Sequence, residues 1–314
     1  MKQYDILIPG NYSCDMIFRD IDGKPELGTN LYSEHFNIVS GGVTNTIVAL
    51  RRLGINVGWL TEAGNDIFSR FILEYAENEE VDTSLIIRLK ESTRRITVAL
   101  SYPEDRAFVS YIQHNPDVID LVLSYGDKIE YSHIHFAELL VDPRMPDLLR
   151  HCKERNVFIS SDCQYHEHTL KDPLVREIIS LFDLFIPNAQ ETQALTETEN
   201  LEDGAKVLSE IVPYLIVKEG GDGAHAFHGE THIFQEALDV ESRDTTGAGD
   251  VFNAGVLAAK IAGHDLTTCL RWGIVAGGMA TQGPGGTATA PNREELQKRL
   301  RELDEEVVTT SDET

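Results

Sequence analysis

Basic residues are scarce in this chain: 27 Lys and Arg stand against 52 Asp and Glu, a formal net charge of −25 over 314 residues. A surface this negative repels phosphate backbones and anionic lipid, which argues against nucleic-acid and membrane-surface partners. Long apolar runs are missing too, since none approaches the roughly 18 residues that cross a bilayer. The first residues, Met1-Lys2-Gln3-Tyr4-Asp5, carry no secretory leader pattern. Cysteine is sparse. Cys14, Cys152, Cys163 and Cys269 form no CxxC pair, a usage that fits reduced, buried thiols in the cytoplasm. Internal repeats and low-complexity tracts are absent. What is present is ordinary globular material: 41% hydrophobic and 8% aromatic residues, enough for a core. The length suits one large domain, or a large domain with a smaller attachment.

Short β-rich runs alternate with helical patterns, the rhythm of βαβ units and a parallel sheet. Strands are expected at 4–9, 57–61, 132–136, 157–160, 184–186 and 214–217. Helices are expected after Gly41-Gly42, from Asp66 to about Asn78, near 144–155, 172–181 and 201–211, and over 248–262 and 266–280. The acidic end, 302–314, is expected to fray. Two stretches break the rhythm, 11–36 and 84–112. The second reads as strands at 85–89, 95–101 and 107–112, with a polar turn Tyr102-Pro103-Glu104-Asp105. Both are assigned to one small β subdomain, a lid over a cleft or a plain surface sheet. It is inserted into an α/β body made of 1–10, 37–83 and 113–314.

Chemistry concentrates in Asp244-Thr245-Thr246-Gly247-Ala248-Gly249-Asp250-Val251-Phe252-Asn253-Ala254-Gly255. Small residues allow a tight turn that runs straight into an apolar helix. Unpaired N–H groups at such a start, aided by the helix dipole, suit a phosphate or the charge that develops on its transfer. Asp250 stands inside this positive nest. An acid in a first turn is ordinarily a dipole partner, but beside an anion it would be unfavourable unless it accepted a proton. A second glycine turn, Gly221-Asp222-Gly223-Ala224-His225-Ala226, fits a dinucleotide pattern but is followed by a β-hairpin pattern around Gly229-Glu230 where a Rossmann site needs a helix. The dinucleotide reading therefore fails.

The segment from Asp244 to Gly255 resembles the C-terminal signature of the PfkB, or ribokinase-like, family of carbohydrate and nucleoside kinases. The run from Ser40-Gly41-Gly42 to Leu53-Gly54 resembles its N-terminal signature. Between them, Pro187-Asn188-Ala189-Gln190-Glu191 is similar to the family's Asn-x-x-Glu element, and Lys218-Glu219-Gly220-Gly221-Asp222-Gly223 to its nucleotide-binding glycine turn. Four motifs in order span nearly the whole chain.

The resemblance implies a Rossmann-like three-layer α/β sandwich of the ribokinase-like type with a small inserted β-sheet lid. It implies an ATP-dependent sugar kinase acting on a primary hydroxyl of a ribose-, fructose- or keto-deoxy-sugar-like acceptor. A nucleoside kinase of the adenosine or cytidine kind, with Phe18, Phe108 or Tyr111 stacking a base, is the alternative. By the same resemblance Asp250 is the general base, and the Gly247, Ala248 and Gly249 amides form the anion hole. Asn188, Lys218, Gly220, Gly221 and Gly223 bind nucleotide. Asn188 and Glu191 hold Mg²⁺ through water, although their spacing equally fits a helix cap. Asp15, Gly41, Gly42, Asn45 and, more weakly, Glu138 bind the sugar. Asp244 and Thr246, with the run 283–288, are a possible K⁺ site, and a homodimer through the lid is expected. One run departs from the family. Asp162-Cys163-Gln164-Tyr165-His166-Glu167-His168 lacks the Arg of the usual Asp-x-Asn-x-Arg, which puts one substrate or phosphate contact in doubt. The pairs His133/His135 and His166/His168 are either metal ligands or ordinary strand residues.

Overall fold

The computed structural model describes residues 3–102, 106–164, 167–283 and 285–311. Its strands are β1 (Gln3–Pro9), β2 (Tyr12–Ile21), β3 (Ser33–Gly42), β4 (Val57–Ala63), β5 (Ile86–Arg88), β6 (Arg95–Ser101) and β7 (Arg106–Ile112). There follow β8 (Glu130–Phe136), β9 (Phe158–Asp162), β10 (Leu184–Ile186), β11 (Tyr214–Lys218), β12 (Ala224–His228) and β13 (Thr231–Gln235). The helices are α1 (Thr44–Arg52), α2 (Ile67–Asn78), α3 (Val118–Tyr125), α4 (Met145–Glu154) and α5 (Pro173–Ser180). The later ones are α6 (Ala189–Thr196), α7 (Leu201–Ser209), α8 (Ala248–Ile261), α9 (Leu266–Ala280) and α10 (Arg293–Ser311).

Side chains of period two send alternate residues of each buried strand to opposite faces. Ile6 and Ile8 enter one core while Leu7 enters the other; Ile216 opposes Leu215 and Val217 in the same way. The first core is closed by α1, α2, α8 and α9, the second by α3, α4, α5, α6 and α7, so helices cover both faces of one sheet. That sheet is ordered β13-β12-β11-β10-β9-β8-β1-β4-β5. Neighbours from β11 to β5 run parallel, and β12 and β13 close the edge as the antiparallel hairpin read from the sequence. The result is a three-layer α/β sandwich. All four cysteines are buried and none is in a disulfide.

A separate four-stranded sheet is ordered β3-β2-β6-β7. Two boundaries expected for it move. The β2–β3 ladder is continuous from Ile21↔Ser33 to Tyr12↔Gly42, so residues 37–42, expected in the body, belong to the small sheet. Conversely β5, expected in the lid, pairs with β4 because Ile86 is buried in the body core. The turn at 103–105 lies outside the described residues. Helices α3 and α10 were not anticipated, α6 is the helix that the Asn188–Glu191 spacing also fitted, and residues 312–314, the tip of the end expected to fray, lie outside the described residues.

The pairing of α8 with α9 fixes the site. Gly255 of α8 meets the backbone of Trp272, and Gly273 of α9 meets Val256 and Phe252, so the two helices approach at distances any larger residue would obstruct. No helix among the described residues is long and apolar enough to cross a membrane.

Candidate active site

Four polar residues lie at or just past the C-terminal ends of adjacent parallel strands. Glu138 follows β8, Asp162 ends β9, Asn188 follows β10 and Lys218 ends β11. In an open α/β sheet this edge is where ligands bind. Helix α8 begins at the same edge, for Asn253 Nδ2 donates to Asp162 Oδ2 at 2.7 Å.

The start of α8 is built by close packing. Gly247 caps the helix in the left-handed region, φ 71°, and a Cβ there would strike the backbone of Gly286. Asp250 follows in the first turn and is half-buried. Asn45, brought up by α1, donates through Nδ2 to Asp250 Oδ2 at 3.0 Å. Burial pushes the Asp250 carboxyl up to about 6; the Asn45 bond opposes this, nearby Asp162 and Asp15 add to it, and Lys218 counters it. A carboxyl that titrates near neutrality is suited to take a proton. The expected three-amide nest needs correction, because the Ala248 N–H already reaches the Thr245 carbonyl at 3.2 Å. Among the described residues no protein carbonyl takes the N–H of Gly247 or Gly249.

On the acceptor side, Ser13 Oγ donates to Asp15 Oδ1 at 2.6 Å. A Cβ at Gly41 would collide with that carboxylate and with the Ser13 hydroxyl, so the glycine makes room for Asp15. Burial raises the Asp15 carboxyl and the Ser13 bond partly offsets it. Gly42 backs onto the Asn11 carbonyl. Asn45, expected as a sugar ligand, is also a partner of Asp250. Its amide N–H goes to Asp250, and its Oδ1 is buried without a partner against Gly286. Glu138 is exposed to water.

On the nucleotide side, Gly220 and Gly221 face open space, whereas Gly223 is packed against the backbone of Gln235 inside the hairpin junction. Lys218, expected on the nucleotide, is tied to the end of β9 and to α8. Its Nζ donates to Asp162 Oδ1 at 2.9 Å, Asp162 Oδ2 at 3.0 Å and Asn253 Oδ1 at 3.4 Å. Asn188 and Glu191 form a complete capping box: Glu191 N–H donates to Asn188 Oδ1 at 2.8 Å, and Asn188 N–H to Glu191 Oε2 at 2.7 Å. Burial and Asp162 raise the Glu191 carboxyl while Lys218 and the Asn188 N–H hold it down. Asp244 staples two loops, accepting from Thr246 N–H at 2.9 Å and Gly285 N–H at 3.0 Å.

The metal reading of the histidines gains nothing. His133 Nε2 and His135 Nδ1 both lie 2.8 Å from Ser160 Oγ in the core, and burial pushes both well down, His135 to about 4. Among the described residues no three His, Cys, Asp or Glu side chains group as metal ligands. His166, like Pro284 of the expected cation loop, lies outside them. Sequence reasoning passed over Asp162 and Asn253 as site residues, although both lie in runs it quoted, and Ser13 entirely. An acid closing an otherwise buried strand was the available signal for Asp162.

A family model described as pfkB family carbohydrate kinase matches residues 11–293, and the chain belongs to that family. It is similar to the 2-dehydro-3-deoxygluconokinase of Bacillus subtilis, 28% identical over 83% of this chain and 86% of that protein. The ribokinase of Lactococcus lactis is 26% identical over 95% of this chain and 98% of its own. An Escherichia coli protein assigned as a ribokinase II and solved with ATP and Mg²⁺ superposes with a TM-score of 0.78 at 21% identity, over 95% of this chain and 99% of that one.

Proposed function

We propose that this kinase transfers the γ-phosphoryl group of ATP to a primary hydroxyl of a small neutral or keto-deoxy sugar, ribose- or fructose-like in size. The observation that carries the proposal is the Asp250 carboxyl, held by Asn45 at the mouth of α8 and raised to about 6. Asp250 takes the hydroxyl proton as the oxygen attacks, while the N–H groups of Gly247 and Gly249 and the helix dipole stabilise charge on the transferring group. Asp15, beside Gly41, binds the remaining hydroxyls, and the open backbone of Gly220 and Gly221 admits the nucleotide.

Four carboxylates, Asp15, Asp162, Glu191 and Asp250, act on one another here against the single ammonium of Lys218. That surplus of negative charge fits a site completed by a divalent cation. Asn188 and Glu191 would hold Mg²⁺ through water, where it neutralises phosphate charge. Each Asp244 oxygen accepts one backbone N–H and keeps a further lone pair, so a K⁺ ion near Asp244 and Thr246 would rest on that carboxylate together with carbonyl oxygens.

The small sheet serves as the lid. Through the register Asp15↔Thr97↔Ser110, Asp15 shares a face with Ile17, Ala99 and Phe108. Of the three aromatic candidates for a nucleoside base, only Phe108 lies on that face, since Phe18 packs on Phe36 and Tyr111 pairs with Ile96 on the other. Phe108 is therefore the residue on which a nucleoside reading would rest. The opposite face carries Phe36, Ile38, Val109 and Tyr111, all exposed, and a second copy of the chain would cover them.

An ADP-release assay over pentoses, ketohexoses, 2-keto-3-deoxy acids and nucleosides, with Mg²⁺ or with excess chelator, tests the proposal. Release with a sugar and Mg²⁺ is expected. Release with nucleosides alone would select the other reading, and full rates in chelator would remove the metal assignment.

A further inference from the structure

Beneath the first turn of α8 lies an ion pair that the proposed chemistry leaves without a task. Asp162 is buried and receives four hydrogen bonds. Two come from Lys218 Nζ, one from Asn253 Nδ2 at 2.7 Å and one from the Cys163 N–H at 2.8 Å. Asn253 touches both charges, since its Oδ1 accepts from Lys218 at 3.4 Å. It stands three residues after Asp250, on the same side of the helix one turn along. Lys218 Nζ lies 3.7 Å from where a Cβ of Gly249 would sit, directly behind the amide nest. A buried ion pair contributes little to net stability, because the desolvation of two charges offsets their attraction. Retention of such a pair under a catalytic turn calls for another role.

We propose that Lys218, Asp162 and Asn253 form a buried clamp that fixes the first turn of α8 to the sheet edge, with Lys218 as the positioning residue that sets the charge environment of Asp250. The inference rests on Asp250 being the base. The hydrogen bonds of Lys218 Nζ go to Asp162 and Asn253, so its effect on the chemistry runs through the charge it presents to Asp250. The groups facing Asp250 are Asp162 from β9, Lys218 from β11, Asp15 from β2 and the neutral amide of Asn45 from α1. Burial works against the Lys218 ammonium, but Asp162, Glu191 and Asp250 together hold its pKa above the ordinary lysine value, so it stays charged across the working range.

The test is the pH dependence of kcat/KM in Lys218→Met, Asp162→Asn and the double variant Asp162→Asn/Lys218→Met. Loss of the cation should move the acidic limb upward. Loss of the Asp162 charge should move it downward, each by on the order of one pH unit. The double variant, which removes both charges, should lie between the two. Nucleotide binding, followed by calorimetry with a non-hydrolysable ATP analogue, should stay within about threefold of the parent in all three. If Lys218→Met does not fold, the downward shift of Asp162→Asn and the intermediate limb of the double variant still decide. Limbs that do not move, or that move in one direction together, would overturn the clamp's electrostatic role. A large loss of analogue affinity in Lys218→Met would place Lys218 on the nucleotide instead. Asp250→Asn is measured alongside: near-parental turnover there would mean that the assignment of the base has failed, a result separable from failure of the clamp.

Discussion

At the scale of single residues, Asp250 is held in a state that burdens the fold. Its carboxyl, at about 6, stands above the unfolded value of about 3.9. The folded chain therefore binds an extra proton between those values, and stability is lost as pH rises through that window and stays lower above it. Asp250→Asn, which keeps the acceptor for Asn45, should stabilise the chain by roughly 1–3 kcal/mol at pH 7.5, with the difference shrinking towards pH 4. Thermal melting of both proteins across that range checks this, and an equal or lower melting temperature for the variant at pH 7.5 would refute it. Asp250 and the glycines before it were legible in the sequence because a run of small residues there enters a helix with an acid in its first turn, whereas Asp15, in strand β2, was legible only through the family resemblance. The partners of Asn45, Lys218 and Asp162 were not. Asn45 and Asp250 are 205 positions apart, and Lys218 and Asp162 are 56. No local pattern encodes which side chain meets which across such separations.

At the scale of elements, the clearest case is α2. Asp66 was readable as its start, and the structure makes it the N-cap, accepting from Phe68 N–H at 3.1 Å and Ser69 N–H at 3.0 Å. The same carboxylate also accepts from Ser69 Oγ at 2.8 Å and from Thr93 N–H at 2.9 Å, tying the helix to the entry of β6. Burial works to raise this carboxyl, but these hydrogen bonds together hold it below the usual range. Asp66→Ala leaves buried donors without an acceptor and should lower stability by about 2–4 kcal/mol at pH 7. Because the folded value is depressed, this contribution is present above about pH 4 and fades as pH falls through the folded value. Urea unfolding of the parent and variant should therefore converge in acid, and a constant difference would contradict the assignment. Helix α3 escaped the sequence reading although α5, equally short, did not: Asp172-Pro173 marks the start of α5, whereas Val118-Ile119-Asp120-Leu121-Val122-Leu123 is nearly all apolar and carries no 3.6-residue stripe.

At the scale of the whole molecule, the layered body was legible from the alternation of strands and helices, while the limits of the small sheet were not. Strand β3 passes from one sheet region into the glycine motif without a break, and β5 changes sheets because one isoleucine finds the body core. The apolar outer face of that sheet, with Val109 66% and Tyr111 54% exposed, leads to a further expectation. The protein should sediment as a dimer at micromolar concentration, and Ile38→Asp with Val109→Asp should yield a monomer that retains its fold. A parent chain that sediments as a monomer would count against pairing through this face.

Turnover and nucleotide affinity measured together in Asp250→Asn bear most directly on the central claim. Only the proton acceptor changes, so turnover with the best sugar should fall by at least about 10²-fold while the affinity for an ATP analogue stays nearly the same. Turnover close to that of the parent would show that the carboxylate at the mouth of α8 does not activate the acceptor hydroxyl.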